Sequence, residues 1–103
     1  MSAGYVLLGT EEYFIGMFTD KEVVRAQVIK LLESDISLTK DEITAFNEIP
    51  PETEDEAEYY ESLISDIDTY EGAIEFFKKC SFDYTEIAGG YKVRKEPIRS
   101  EIF

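Results

Sequence analysis

Apolar residues first gather in two short runs, Tyr5-Val6-Leu7-Leu8 and Tyr13-Phe14-Ile15-Gly16-Met17-Phe18, separated by Gly9-Thr10-Glu11-Glu12. β-branched and aromatic residues favour strands, and runs this short do not make helices. The pair predicts a β-hairpin. Neither run alternates, so both faces are expected to be covered, one by helices and the other by a partner or a second helix layer. At Thr19 the pattern changes. Thr19-Asp20-Lys21-Glu22 has the form of a capping box, in which Thr accepts from the Glu N–H and Glu reaches back. Val24, Val28, Leu31 and Leu32 follow at helical spacing and predict a helix to about Glu33. Thr39-Lys40-Asp41-Glu42 repeats the device and predicts a short helix through Ile43, Ala45 and Phe46, stopped by Pro50-Pro51.

Thr53-Glu54-Asp55-Glu56 predicts a third N-terminus. Ala57, Tyr60, Ile64, Ile67 and Ile74 fall on one side of the helix it starts, and Gly72 is placed to end or interrupt it. Ser81 to Glu86 reads as a strand with Phe82 and Tyr84 on one face, and Gly89-Gly90 is a two-residue hairpin signal. Tyr91-Lys92-Val93-Arg94 alternates, with Lys92 and Arg94 outward, where they would protect a sheet edge. The predicted order is β-β-α-α-α-β-β. This is an α+β fold, an antiparallel sheet of about four strands with helices packed on it. A chain of 103 residues fits a single domain over 1-103, with an acidic helical insertion at about 39-79.

Much chemistry is excluded by composition. The chain has no His and one Cys, so a zinc site and a Ser-His or Cys-His nucleophile are not expected. No Walker loop or GxGxxG is present. Asp66-Ile67-Asp68 starts like an EF-hand, but Tyr70, Glu71 and Phe77 occupy the positions that need an acid or amide, Gly and Glu. Paired carboxylates can hydrolyse glycosides, yet among 23 acids some pair falls at a suitable spacing by chance. The expectation is a protein that is not an enzyme, without catalytic residues, metal or cofactor. Cys80 follows Lys78 and Lys79, which would activate an exposed thiol; the plainer reading is a small, partly buried residue. No apolar run approaches a membrane span, and Met1–Leu8 lacks the basic stretch of a signal peptide, so a cytoplasmic protein is expected.

Charge layout is the most informative feature. The net charge is -13, and from Asp41 to Glu75 there are 13 acids and no Lys or Arg. Surface helices ordinarily mix signs, because like charges at i,i+4 are destabilising. On the third predicted helix Glu54, Glu58 and Glu61 share one outer face, with Asp55 and Ser62 alongside. Such a surface is either a solvated face that aids solubility or a display of negative charge in rows, as nucleic-acid phosphates make. The second reading places Glu54, Asp55, Glu58, Glu61, Asp66 and Asp68 against Lys and Arg of a partner, with an exposed Tyr59 as aromatic anchor.

The run Tyr5-Val6-Leu7-Leu8-Gly9, followed by Tyr13-Phe14-Ile15-Gly16-Met17-Phe18-Thr19-Asp20-Lys21-Glu22, resembles small bacteriophage proteins that open on a hairpin of the form YVLxG…xxIGxF, continue into a capped helix and close with a strand. The resemblance covers residues 5–32 and, loosely, 82–94. Most of those proteins have no assigned function, so it implies no catalytic residues, and the acidic middle is not part of the pattern. In size and charge the chain is also similar to phage-encoded inhibitors of host defence, including anti-CRISPR proteins and DNA mimics; that likeness is one of composition. The reading is therefore a small acidic phage-type inhibitor in the host cytoplasm. Its partner would be a host protein with a basic surface, a nucleic-acid-binding nuclease or complex, and not nucleic acid or membrane. The alternative is a ligand-sequestering or oligomeric protein for a small anion such as a nucleotide messenger, with Lys92, Arg94, Lys95 and Arg99 facing it. The doubly apolar hairpin suggests a homodimer.

Overall fold

The computed structural model describes residues 2–98. The first apolar run forms β1 (Ser2–Leu8) and the second β2 (Phe14–Phe18), joined through a single 3-10 turn at Thr10–Glu12. Two long helices follow, α1 (Lys21–Glu48) and α2 (Glu54–Lys79), then β3 (Glu86–Ala88) and β4 (Tyr91–Ile98). All pairings are antiparallel and the sheet order is β2-β1-β4-β3. The fold is α+β, a four-stranded antiparallel sheet with helices packed on it.

There are two helices where three were expected. Thr39 lies inside α1, and its hydroxyl donates to the Asp35 carbonyl at 2.8 Å instead of capping a new helix. A Thr-x-x-Glu spacing starts a helix only where the chain upstream is broken, and Glu33 to Leu38 holds no Gly or Pro to break it. The acidic stretch thus begins in mid-helix. At the first helix start the cap is Asp20, not Thr19: Asp20 Oδ1 accepts from Glu22 N–H at 2.7 Å. Thr53 caps α2 as expected, accepting from Glu56 N–H at 3.1 Å, while the Glu56 carboxylate takes the Glu52 N–H. Gly72 does not interrupt α2, which continues to Lys79.

Both helices pack on one face of the sheet. Tyr5 and Leu7 of β1 and Val93 of β4 meet Val24, Val28 and Leu32 of α1 and Ala73 and Phe77 of α2. The strand expected over Ser81 to Glu86 is a loop as far as Thr85, and β3 begins only at Glu86. Phe82 adopts a left-handed backbone (φ 58°) that drives its ring into the core, stacked on Phe77 at 6.1 Å and edge-on to Tyr5 at 6.2 Å. Burial of that ring offsets the backbone strain. Tyr84, expected on the same face, is exposed. Arg25 closes this corner, donating to the Phe77 and Cys80 carbonyls at the end of α2 with its guanidinium 4.8 Å from the Phe82 ring centre. A cation there satisfies carbonyls the helix leaves free and complements its dipole.

Gly89-Gly90 makes the predicted two-residue hairpin, with φ of 60° and 85°. Beyond it β4 is central, not an edge, because β1 pairs along its other side; the edges are β2 and β3. Lys92 and Arg94 therefore lie on the outer face of a central strand. Among the described residues no helix packs on the sheet's outer face. Val6 and Leu8 are buried there beside their cross-strand partners Met17, Arg94, Phe14 and Lys92. Phe14, Met17 and Ile87 remain 59%, 57% and 65% exposed.

Candidate protein-binding surface

The sheet supports only one end of the helical pair. Core contacts use α1 from Val24 to Leu32 and α2 from Ala73 to Phe77. A 28-residue helix is about 42 Å long, so the other half of the pair extends past the sheet. The principal extents are 59 × 27 × 17 Å and the radius of gyration is 17.1 Å, against roughly 13 Å for a compact chain of this length. The projecting half is held by its own seam. Thr39 and Leu63 are buried in it, with Ile43, Phe46, Tyr60 and Ile67 half-buried. Tyr60, Leu63, Ile67, Tyr70, Ile74 and Phe77 recur at three- and four-residue steps, the spacing of two helices packed side by side. Ala57 and Ile64, expected in the stripe, are exposed; the seam runs through Leu63 instead.

At the tip the Phe46 ring meets Tyr59 and Tyr60 edge-on at 6.0 and 5.7 Å. Tyr60 O–H donates to Asn47 at 3.3 Å, and Tyr59 O–H donates to the Glu42 carboxylate at 2.5 Å. Tyr59 is thus turned toward α1, with 49% of its surface exposed. Its hydrogen bond to Glu42 raises the phenol above the ordinary tyrosine range.

Glu54, Asp55, Glu58, Glu61, Asp66 and Asp68 are all exposed on α2. At about 100° per residue, Glu54, Glu58, Glu61 and Asp68 share the face opposite the seam. Asp55, Tyr59 and Asp66 lie on a flank, beside Glu42 of α1. The predicted residues therefore form two strips, not one patch. Among the described residues none of these acids makes an ion pair. Sequence reading did not assign Glu42, Glu48 or Glu52 to the surface; α1 brings Glu42 to the flank strip through its bond to Tyr59, a long-range contact with no local signal.

The charge density is high. Eleven acids lie between Asp41 and Asp68, with no base. From Glu54 to Asp68 the axis advances about 21 Å and α2 carries seven acids, one negative charge per ~3 Å, close to the ~3.4 Å spacing along one strand of duplex nucleic acid. Among the described residues no group of three or more His, Cys, Asp or Glu is arranged to hold a metal ion. No helix among the described residues is long and apolar enough to cross a membrane.

The basic residues are engaged elsewhere. Lys92 pairs with Glu12 at 2.8 Å, lowering the Glu12 carboxyl below its usual range, and Arg94 pairs with Glu96 at 2.7 Å. Lys95 reaches Asp83 at 3.8 Å, and Arg99 lies outside the described residues. Cys80, the residue that ends α2, is half-buried, and burial pushes its thiol up despite the neighbouring lysines. No protein family, curated protein or solved structure matches the chain.

Proposed function

We propose that the protein is a small binding inhibitor of phage type whose projecting acidic hairpin occupies a basic, nucleic-acid-binding surface of a host protein, a defence nuclease or its complex. One observation carries the reading: the acidic half of the hairpin stands clear of the sheet with no cation paired to it among the described residues, and α2 there carries nearly the linear charge density of one nucleic-acid strand. Isolated like charges cost a few tenths of a kcal/mol per i,i+4 pair, and a solubilising face does not need them in a row. Glu54, Glu58, Glu61 and Asp68 would meet Lys and Arg as phosphates do, and Asp55, Asp66 and Glu42 would extend the contact around the flank. Tyr59 supports that flank. The test is competition: complex formation with the target should be displaced by duplex or single-stranded nucleic acid and weaken steeply with salt. Binding indifferent to both removes the reading.

The open sheet face favours one addition, a homodimer. Phe14, Met17 and Ile87 are apolar and more than half exposed there, while the adjacent Lys92 and Arg94 are balanced by Glu12 and Glu96. A second copy meets little net charge on this face. The acidic hairpins pack on the opposite side of the sheet and would be held apart.

A further inference from the structure

Where the helical pair leaves the sheet, the turns of both β-hairpins and both helices border an open cleft of about 560 Å³. Its walls are Gly9, Thr10, Tyr13 and Ile15 from the first hairpin, Gly89, Gly90 and Tyr91 from the second, Asp35 from α1 and Tyr70 from α2. The volume is within the usual range for small-ligand sites. Three tyrosines and one carboxylate line it, and no lysine or arginine does. Tyr91 O–H donates to Asp35 Oδ2 at 2.6 Å, which fixes the carboxylate. Among the described residues Asp35 has no ion-pair partner, and the nearest turn's Glu12 holds Lys92.

We infer that this cleft binds an alkylammonium or guanidinium group, with Asp35 as counter-ion and the rings of Tyr13, Tyr70 and Tyr91 as its walls. A cation is attracted to aromatic faces as well as to a carboxylate, and an anion would be repelled by both. The glycines keep the cleft open: a Cβ on Gly90 would approach Thr10 Oγ1 to 3.3 Å from a backbone with φ of 85°. Burial, then the charges of Asp66 and Asp35, hold the Tyr70 phenol above the ordinary range, and burial, then the hydrogen bond to Asp35, does so for Tyr91, so these walls stay neutral at pH 7 and add no charge of their own. The inference does not depend on the acidic hairpin binding a partner, because the isolated protein should take the small cation.

The test follows the tyrosine ring resonances by NMR at fixed ionic strength while N-acetylarginine methylamide, its neutral citrulline counterpart or putrescine is added. The two cations should give saturable shifts at Tyr13, Tyr70 and Tyr91, and the citrulline compound none. Asp35→Asn, which keeps an acceptor for Tyr91, should weaken cation binding about tenfold or more. Tyr13→Ala, at a residue 74% exposed, should weaken it several-fold and leave the fold intact. Tighter binding of the guanidinium identifies a protein side chain as the occupant, and tighter binding of putrescine identifies a free polyamine. Diffuse attraction to a chain of charge -13 would ignore Asp35 and Tyr13. Unchanged affinity in either variant, or no saturable shift in the wild type, overturns the assignment.

Discussion

Gly72 and Gly89 show how a residue's surroundings set its role. Gly72 sits in the exposed interior of α2 with nothing within 4 Å of a would-be Cβ. Gly72→Ala should stabilise the protein by about 0.5–1 kcal/mol in urea melts, since glycine there costs only backbone entropy. At Gly89 (φ 60°) a Cβ would lie 2.7 Å from Ala73 Cβ and 2.8 Å from Leu32 Cδ2. Gly89→Ala should cost at least about 2 kcal/mol, from backbone strain and overpacking together. A neutral result would mean the second hairpin does not press on the helices. Tyr91 makes a pH prediction. Burial, then its bond to Asp35, raises the phenol above its ordinary value of about 10. The native state therefore holds the proton more tightly than the unfolded chain does. Stability is full below about pH 10 and falls as pH rises through the native value. Tyr91→Phe should flatten that decline in urea melts taken from about pH 8 to 11; an unchanged slope would assign it to other groups.

The elements are governed by their ends and their shared seam. Asp20→Ala and Thr53→Ala should each cost about 1 kcal/mol, and Thr19→Ala close to nothing, because Asp20 makes the cap bond. Arg25→Ala should cost about 1.5–3 kcal/mol, since it frees two carbonyls at the end of α2 and uncovers Phe82. Much of this level was legible in the chain. The two apolar runs, the Thr53 cap, the Pro50-Pro51 stop and the Gly89-Gly90 turn are local signals, and each stands where the residues put it. What was not legible depended on contacts distant in sequence. Thr19 and Asp20 are equally good caps until the strand before them sets the entry of the helix. Thr39 looks like a cap until α1 gains a partner along its whole length. Phe82 reads as a strand residue until Phe77 and Arg25 supply the pocket that holds it at positive φ. The acids themselves were identified from the sequence, but their division into an outer strip and a flank strip followed from which side of α2 faced α1.

At the scale of the whole molecule, a head of nearly balanced charge carries an acidic rod. The outer sheet face should make the head a homodimer, and Met17→Lys should convert it to a monomer in sedimentation equilibrium without loss of helical signal. A wild-type monomer would mean Phe14, Met17 and Ile87 are simply tolerated in water. The central claim concerns the rod, and charge reversal tests it most directly. Glu54→Lys, Glu58→Lys and Glu61→Lys together lie opposite the seam and should leave the circular dichroism spectrum intact. Immobilised wild-type and reversed proteins would be exposed to bacterial lysate, with retained proteins identified by mass spectrometry and eluted with duplex DNA. The wild type should retain a nucleic-acid-binding protein that DNA releases. The reversed variant should lose it, since three contacts at ~1.5 kcal/mol each amount to more than a thousandfold in affinity. A folded triple variant that retains the same protein as well as wild type does would contradict the account and reduce the acids to a solvated face.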